Sequence, residues 1–355
     1  MEKVVFFVIF LILAGLCQAE KSFQRYSALP ILAYSEETEL QYGAMLLLFA
    51  KPWENGTTNE LDIAAYGSTK GQFKFTMVPY FFLFNDNITG WLSLDYINWV
   101  SYYYGSTNDP DIDNGIRFDK ESFVFAGLIQ SKLGISQITD KLKYGLAFNF
   151  DHNNLDFNSE YKGDLSTPQG QNGWRNALGY HLSLSSYDNE NWARHGYRLQ
   201  WEQLFYNKAF GSNFNFNKQE LDLRAYSELF WGTSMAYALL WQRIDGNAPI
   251  DYMAGPDGIK RFRGVEDKFF RGNQSLIMQM ELRKKLIWRL AGTIFFDAGK
   301  VGGYFSDMWR NKWHQAPGFG GQFALNMQES LYARGDISWI DYKQLGITVY
   351  IRSAF

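Results

Sequence analysis

The sequence predicts an all-β membrane protein: a single transmembrane antiparallel β-barrel of about sixteen strands. Three observations carry this expectation. Segment after segment alternates polar and apolar residues at a period of two, and the polar faces bear charges of both signs. Aromatic residues make up 18% of the 355 residues, with 12 Trp, 22 Tyr and 30 Phe against 8 Pro, and they cap the apolar faces as girdles do at the borders of a bilayer. Beyond Leu16 no apolar run reaches the ~18 residues that a transmembrane helix needs. A soluble sandwich also alternates, but it stacks its apolar faces on each other and turns the polar ones to solvent. Aromatic-capped apolar faces opposite charged ones fit lipid outside and a wet lumen inside.

The chain opens with Met1-Glu2-Lys3, an apolar run from Val4 to Leu16, then Cys17-Gln18-Ala19. This is the pattern of a cleaved secretory leader, too short to span a bilayer, which places the leader at 1–19 and the barrel at 20–355. Acylation of Cys17 is the weaker reading, because Leu16 is bulky where a small residue is expected. The only cysteine leaves with the leader, so no disulfide or thiol chemistry is expected.

The first strand contains Leu29-Pro30-Ile31. Pro30 has no amide donor, and this strand has to pair with the last one to close a barrel, so the seam between them is expected to be weak. Pro79, inside residues 72–84, predicts a bulge. From there parity is clear. Lys141, Lys143, Gly145, Ala147, Asn149 and Asp151 share one face, opposite Leu142, Tyr144, Leu146, Phe148 and Phe150. The split recurs with Asp222, Arg224, Tyr226 and Glu228 against Leu221, Leu223, Ala225 and Leu229. Short turns are expected on the periplasmic side at 85–87, 230–233, 285–287 and 327–329. Longer outer connections are expected at 101–120, 152–176, 245–272 and 300–317. The last strand sets Gln344, Gly346, Thr348, Tyr350 and Arg352 on one face and ends at Phe355, like the C-terminal signal by which bacterial outer-membrane barrels are recognised for insertion.

One outer connection is chemically unusual. Ile259-Lys260-Arg261-Phe262-Arg263-Gly264 crowds two arginines and an aromatic around a glycine, and two strands on comes Phe295-Phe296-Asp297-Ala298-Gly299. Parity turns Phe295 and Asp297 to the lumen, and Glu281 likewise beside Gln279 and Arg283. The planar guanidinium fork suits a carboxylate and an aromatic face together, so Arg263 with Asp297 is the expected pair. A tight hairpin at Lys285 places Glu281 at a different height and directs it to Arg261 or Arg289. The bland reading, two solvated loop arginines, competes with this one on the residues alone.

Phe262-Arg263-Gly264-Val265, Glu281-Leu282-Arg283 and the Phe295–Gly299 run together resemble the BamA/TamA superfamily of outer-membrane barrels, the bacterial surface antigen family. The stretch Leu29-Pro30-Ile31 through Tyr42-Gly43 is similar to that family's first hairpin. The resemblance implies sixteen strands, a sixth outer loop whose Arg-Gly motif folds into the lumen, and a weak seam marked here by Pro30, Gly346, Tyr350 and Phe355. It also implies a lumenal dock for Phe262, Arg263 and Gly264 built from Glu281, Phe295, Asp297 and Gly299. Two departures stand out. Phe262 and Val265 invert the family's aliphatic-before, aromatic-after order around Arg-Gly, and no stretch is left for the periplasmic POTRA domains.

Chemistry of other kinds finds no support. No Gly-x-Ser-x-Gly, Walker or dinucleotide motif occurs, so no enzyme activity and no cofactor is expected. The histidines, 4 in all, lack zinc spacing. Asp109, Asp111 and Asp113 depart from a calcium loop in glycine position and in the missing twelfth-position Glu, so no metal is expected. With 34 basic and 37 acidic residues the charge balance argues against nucleic acid. The expected partners are outer-membrane lipid of a Gram-negative envelope and a client or helper protein, and homo-oligomerisation stays open. Resemblance implies assistance to protein insertion or translocation through the first-to-last seam. The alternative is a passive pore or a structural barrel.

Overall fold

A computed structural model describes residues 25–35, 39–51, 57–133, 141–157, 172–189, 191–327 and 331–352. The expected leader with Cys17, the terminal Phe355 and the turn residues 328–329 lie outside them. One antiparallel sheet holds most of the described chain. Its strands are β1 (Tyr26–Ser35), β2 (Glu39–Ala50), β3 (Asn59–Ser68), β4 (Phe73–Leu83), β5 (Ile88–Tyr103), β6 (Ile116–Lys132), β7 (Leu142–Phe157) and β8 (Gly173–Tyr187). They continue as β9 (Gly196–Tyr206), β10 (Phe216–Glu228), β11 (Thr233–Gly246), β12 (Gln274–Ile287), β13 (Leu290–Gly302), β14 (His314–Asn326), β15 (Leu331–Ile340) and β16 (Gln344–Ile351). Each pairs only with its sequence neighbours, so connections alternate between a terminus end, where β1 starts and β16 finishes, and a distal end.

Parity orders the side chains as alternation requires. Leu146 and Ile294 stand on the outer surface, 72% and 65% exposed, while Asp151, Arg175, Glu281 and Asp297 point inward and are buried. Strands run deeper into the expected distal loops than the sequence suggests: β6 starts at Ile116, β7 reaches Phe157 and β14 starts at His314. Pro79 makes no bulge. The β4–β5 ladder skips Val78 and Pro79, but Met77↔Leu94 and Tyr80↔Trp91 keep one register, so the missing donor opens a gap without shifting the strands. Bulges occur instead at Lys285/Ile287 and Ala324/Asn326, beside turns.

Among the described residues no ladder joins β1 to β16. The sheet ends meet by lapping. Leu29, Met45, Leu47 and Phe49, on the inner face of β1 and β2, form one cluster with Phe323, Leu325, Leu331, Ala333 and Ile351 from the outer face of β14–β16. Leu47 and Leu331 are wholly buried there. Arg352, just past β16, reaches the inner face of β3 at Glu60 (2.9 Å) and Asp62 (3.1 Å) and lies 4.5 Å from the centre of the Tyr80 ring. The first strands therefore cover the last ones from outside at the terminus end. Apolar area is buried at this seam, but among the described residues no β1–β16 ladder ties it, and only a ladder would fix a register.

Candidate functional site: a loop docked in the lumen

The connection between β11 and β12, residues 247–273, folds back into the barrel. Asp257 starts the turn: its Oδ1 accepts from the amides of Ile259 (2.9 Å), Lys260 (2.8 Å) and Arg261 (2.7 Å), a side-chain cap that bends the chain sharply. The Gly264 amide donates to the Gly258 carbonyl at 2.9 Å and closes the tip. Phe262 (φ 63°) and Gly264 (φ 88°) both take the left-handed conformation, and between them Arg263 is turned straight at the wall. The loop's base is fixed as well. Lys268 donates to the carbonyls of Asp251 (2.8 Å) and Met253 (2.6 Å), Tyr104 to Glu266 at 2.5 Å, and Arg271 to the Tyr102 carbonyl at 2.9 Å. Burial pushes the Lys268 ammonium down to about 8, with Asp267 opposing the shift.

Arg263 is fully buried and uses its whole donor fork. Its backbone N–H and its Nε both donate to Asp297 Oδ2, at 2.9 and 2.8 Å, and Nη2 donates to Asp297 Oδ1 at 2.6 Å. Nη1 donates to Glu281 Oε2. The guanidinium carbon lies 3.5 Å from the centre of the Phe295 ring, so one planar group meets two carboxylates in its plane and an aromatic on its face. The Arg263 carbonyl accepts from Ser338 Oγ at 2.8 Å. Phe262 is buried edge-on to Phe270 at 5.3 Å, over Gly299, where an added Cβ would come within 3.1 Å of the Phe262 ring. Val265 joins the same cluster, so the inverted order still fills one apolar pocket.

The structure thus brings Phe262, Arg263, Gly264, Glu281, Phe295, Asp297 and Gly299 together. It also brings in two residues read from sequence as parts of the seam. Gly346 of β16 abuts Gly264, with a Cβ built on Gly264 falling 2.9 Å from Gly346 Cα. The Tyr350 hydroxyl donates to Asp336 Oδ2 at 3.0 Å. Pro30 is exposed on the outer face of β1, away from this site.

The expected partner of Glu281 needs correction. The β12–β13 register sets Gln279 opposite Asp297 and Glu281 opposite Phe295, so Glu281 stands two pairs along the ladder from Asp297, on the same face and within reach of the same arginine. It binds Arg263 and also Arg334, whose Nη1 and Nη2 donate to it at 2.9 and 2.6 Å. Arg261 turns across the lumen to Glu220 (2.7 Å) and Asp222 (3.4 Å), and Arg289 donates to the Ala324 carbonyl at 3.0 Å. Arg334, Asp336 and Ser338 on β15 are the members that sequence reading missed. Their alternation, Arg334-x-Asp336-x-Ser338, already marked a polar inner face.

Two other features bound the lumen. Asp111, from the acidic triplet, caps the turn Ile112–Asn114 by accepting from the Asp113 amide at 3.1 Å. Below loop 247–273 lies a cavity of about 620 Å³, lined by Lys143, His181, Arg198, Glu202, Lys260 and Arg352 among others.

No family model matches this sequence, and no curated protein matches it. Solved structures do. The chain is similar to BamA from Haemophilus ducreyi lacking POTRA domains 1–3, with a TM-score of 0.57 and 10% identity, over 92% of this chain and 69% of that one. CdiB from Escherichia coli gives a TM-score of 0.59 at 11% identity over 94% of this chain, and CdiB from Acinetobacter baumannii 0.51 at 13% over 90%. The chain spans 63% and 56% of the length of those two CdiB chains. At such identities the likeness is one of fold: a sixteen-stranded barrel.

Proposed function

We propose that the chain is an outer-membrane barrel of the BamA/TamA kind that assists insertion or translocation of a partner protein, using the seam between its first and last strands. The observation that carries this reading is the lapped seam. The ends of the sheet touch through side chains, and β1 and β16 each keep one edge unladdered among the described residues. An edge without a ladder partner can pair an incoming strand by backbone hydrogen bonds, and no covalent chemistry is needed. Loop 247–273, docked through Arg263, holds the wall next to that edge in one shape by leaning on Gly346 of β16. The similarity to BamA and CdiB barrels supports the fold on which the reading rests.

The test is capture. A photo-crosslinking amino acid placed at Ser27 in β1, in growing Gram-negative cells, is expected to trap envelope polypeptides, whereas the same probe at Leu146 on the lipid face is not. Equal, lipid-only labelling at both positions would leave a passive barrel. That second reading has its own observation in the charged cavity, which suits a wet pore.

A further inference from the structure

The connection between β8 and β9 lies at the terminus end, where the turns at 84–87 and 229–232 are tight. This one is longer and folds inward. Asp188 Oδ1 accepts from the amides of Arg194 (2.8 Å) and His195 (3.2 Å), and Asn189 Oδ1 from those of Asn191 (3.0 Å) and Trp192 (2.8 Å). Those two caps give the described part of the turn a fixed shape, and Glu228 anchors it by accepting from His195 Nε2 at 2.7 Å and pairing with Arg194.

From that base the turn crosses to the opposite wall. Trp192 and Ala193 are each 4% exposed. Trp192 packs with Ala291, Ala324 and Tyr332 of β13–β15, its ring 4.9 Å from that of Tyr332. Ala193 packs with Tyr226, Ala236 and, on β16, Tyr350. The Ala193 carbonyl accepts from Arg283 Nη2 at 2.6 Å, and the Arg283 guanidinium lies 5.3 Å from the Trp192 ring centre. Asn191 Oδ1 accepts from Arg352 Nη1 at 3.4 Å. Strands β8 and β9, eight and seven places away in the sheet order, are thereby tied to both inward residues at the end of the last strand, Tyr350 and Arg352.

We propose that the β8–β9 turn is a latch on the last strand. Seated as it is, it clamps the terminus end of β16 from inside while β1 and β2 cover it from outside. Withdrawn, it removes the inner packing of Tyr350 and one partner of Arg352 and frees that end to leave the lap. Mobility of the seam is then set by a segment that packs on the last strand from inside and is no member of the lapped cluster. The link to a client rests on the function proposed above. The latch itself does not, and its test needs no client.

The experiment is hydrogen exchange read by mass spectrometry on the purified barrel in lipid nanodiscs. Trp192→Ala is expected to speed exchange of peptides covering 344–351 at least tenfold and to leave 257–266 unchanged. Trp231→Ala, on the neighbouring turn and 84% exposed, is expected to change neither. As a second arm, Ala193→Cys with Ala236→Cys pairs two small side chains of one buried cluster. Oxidising the pair is expected to slow 344–351 below the unaltered protein, and reduction to restore it. Unchanged exchange of 344–351 in Trp192→Ala, or loosening spread evenly over all strands, overturns the latch. If Trp192→Ala does not fold, equal exchange of 344–351 in the oxidised and reduced cysteine pair overturns it.

Discussion

At the scale of the residue, Arg263 is the group on which the lumen depends. It neutralises Asp297 and shares Glu281 with Arg334, all without solvent. Removing it strands the buried Asp297 carboxylate, which costs about 3–5 kcal/mol. Arg261→Ala should cost less, because Asp222 keeps Arg224 at 2.7 Å and Glu220 keeps Lys218 at 3.7 Å. Heat-modifiability on gels and urea midpoints of the folded barrel should rank Arg263→Ala well below Arg261→Ala, and equal values would remove Arg263 from its central place. Arg263→Lys is not expected to restore the unaltered midpoint, since an ammonium cannot hold Asp297 with two parallel donors, reach Glu281 and lie flat on Phe295 at once. The lumenal placing of Asp297 could be read from the sequence because strand parity is a local property. The partner of Glu281 could not, because it depends on how the Lys285 hairpin bulges, and one residue of slip changes which groups share a height.

At the scale of the element, the docked loop and the last strand meet through two glycines. Gly264 is left-handed, so Gly264→Ala carries about 1–2 kcal/mol of backbone strain besides the contact with Gly346. Gly346→Ala pushes on the same spot from the other side, with its Cβ 2.6 Å from Gly264 Cα. Once either change has lifted the loop, the second has less left to disturb. The double variant should therefore lose less stability than the two single losses added, a coupling read by a double-mutant cycle on unfolding midpoints. Additive losses would mean that loop and strand do not support each other. Sequence reading reached both glycines but assigned Gly346 to the seam alone, since nothing local says that a loop tip eighty residues upstream rests on it. The β8–β9 turn escaped for a related reason. Asp188-Asn189-Glu190-Asn191 has the composition of any exposed turn, and Trp192 passes for a girdle residue until its contacts across the lumen are known.

At the scale of the molecule, the barrel is a rolled sheet whose two ends are held by different means. The inner face of β2 carries Met45, Leu47 and Phe49, and its outer face Leu46 and Leu48, so both faces read as lipid-facing and the lap was not legible in the pattern. The strand count and order were legible, because they follow from periodicity repeated along the whole chain. Loop 247–273 braces the distal half of the last strands and the β8–β9 turn their terminus end, which leaves the lap as the part of the wall that can separate at least cost. Apolar side chains and the ion pairs of Arg352 with Glu60 and Asp62 close it, and such contacts can be broken and remade without unzipping a ladder.

The central claim is that this lap has to part for the protein to work. Leu47→Cys with Ala333→Cys places one thiol on each side of the lapped cluster, in a mature chain expected to hold no other cysteine. The measurement is outer-membrane assembly or export in cells carrying this variant as the sole copy, compared with and without reductant. The account predicts normal barrel folding with the disulfide formed, loss of the activity in the oxidised state and its return on reduction. Full activity with the two ends covalently locked would contradict it.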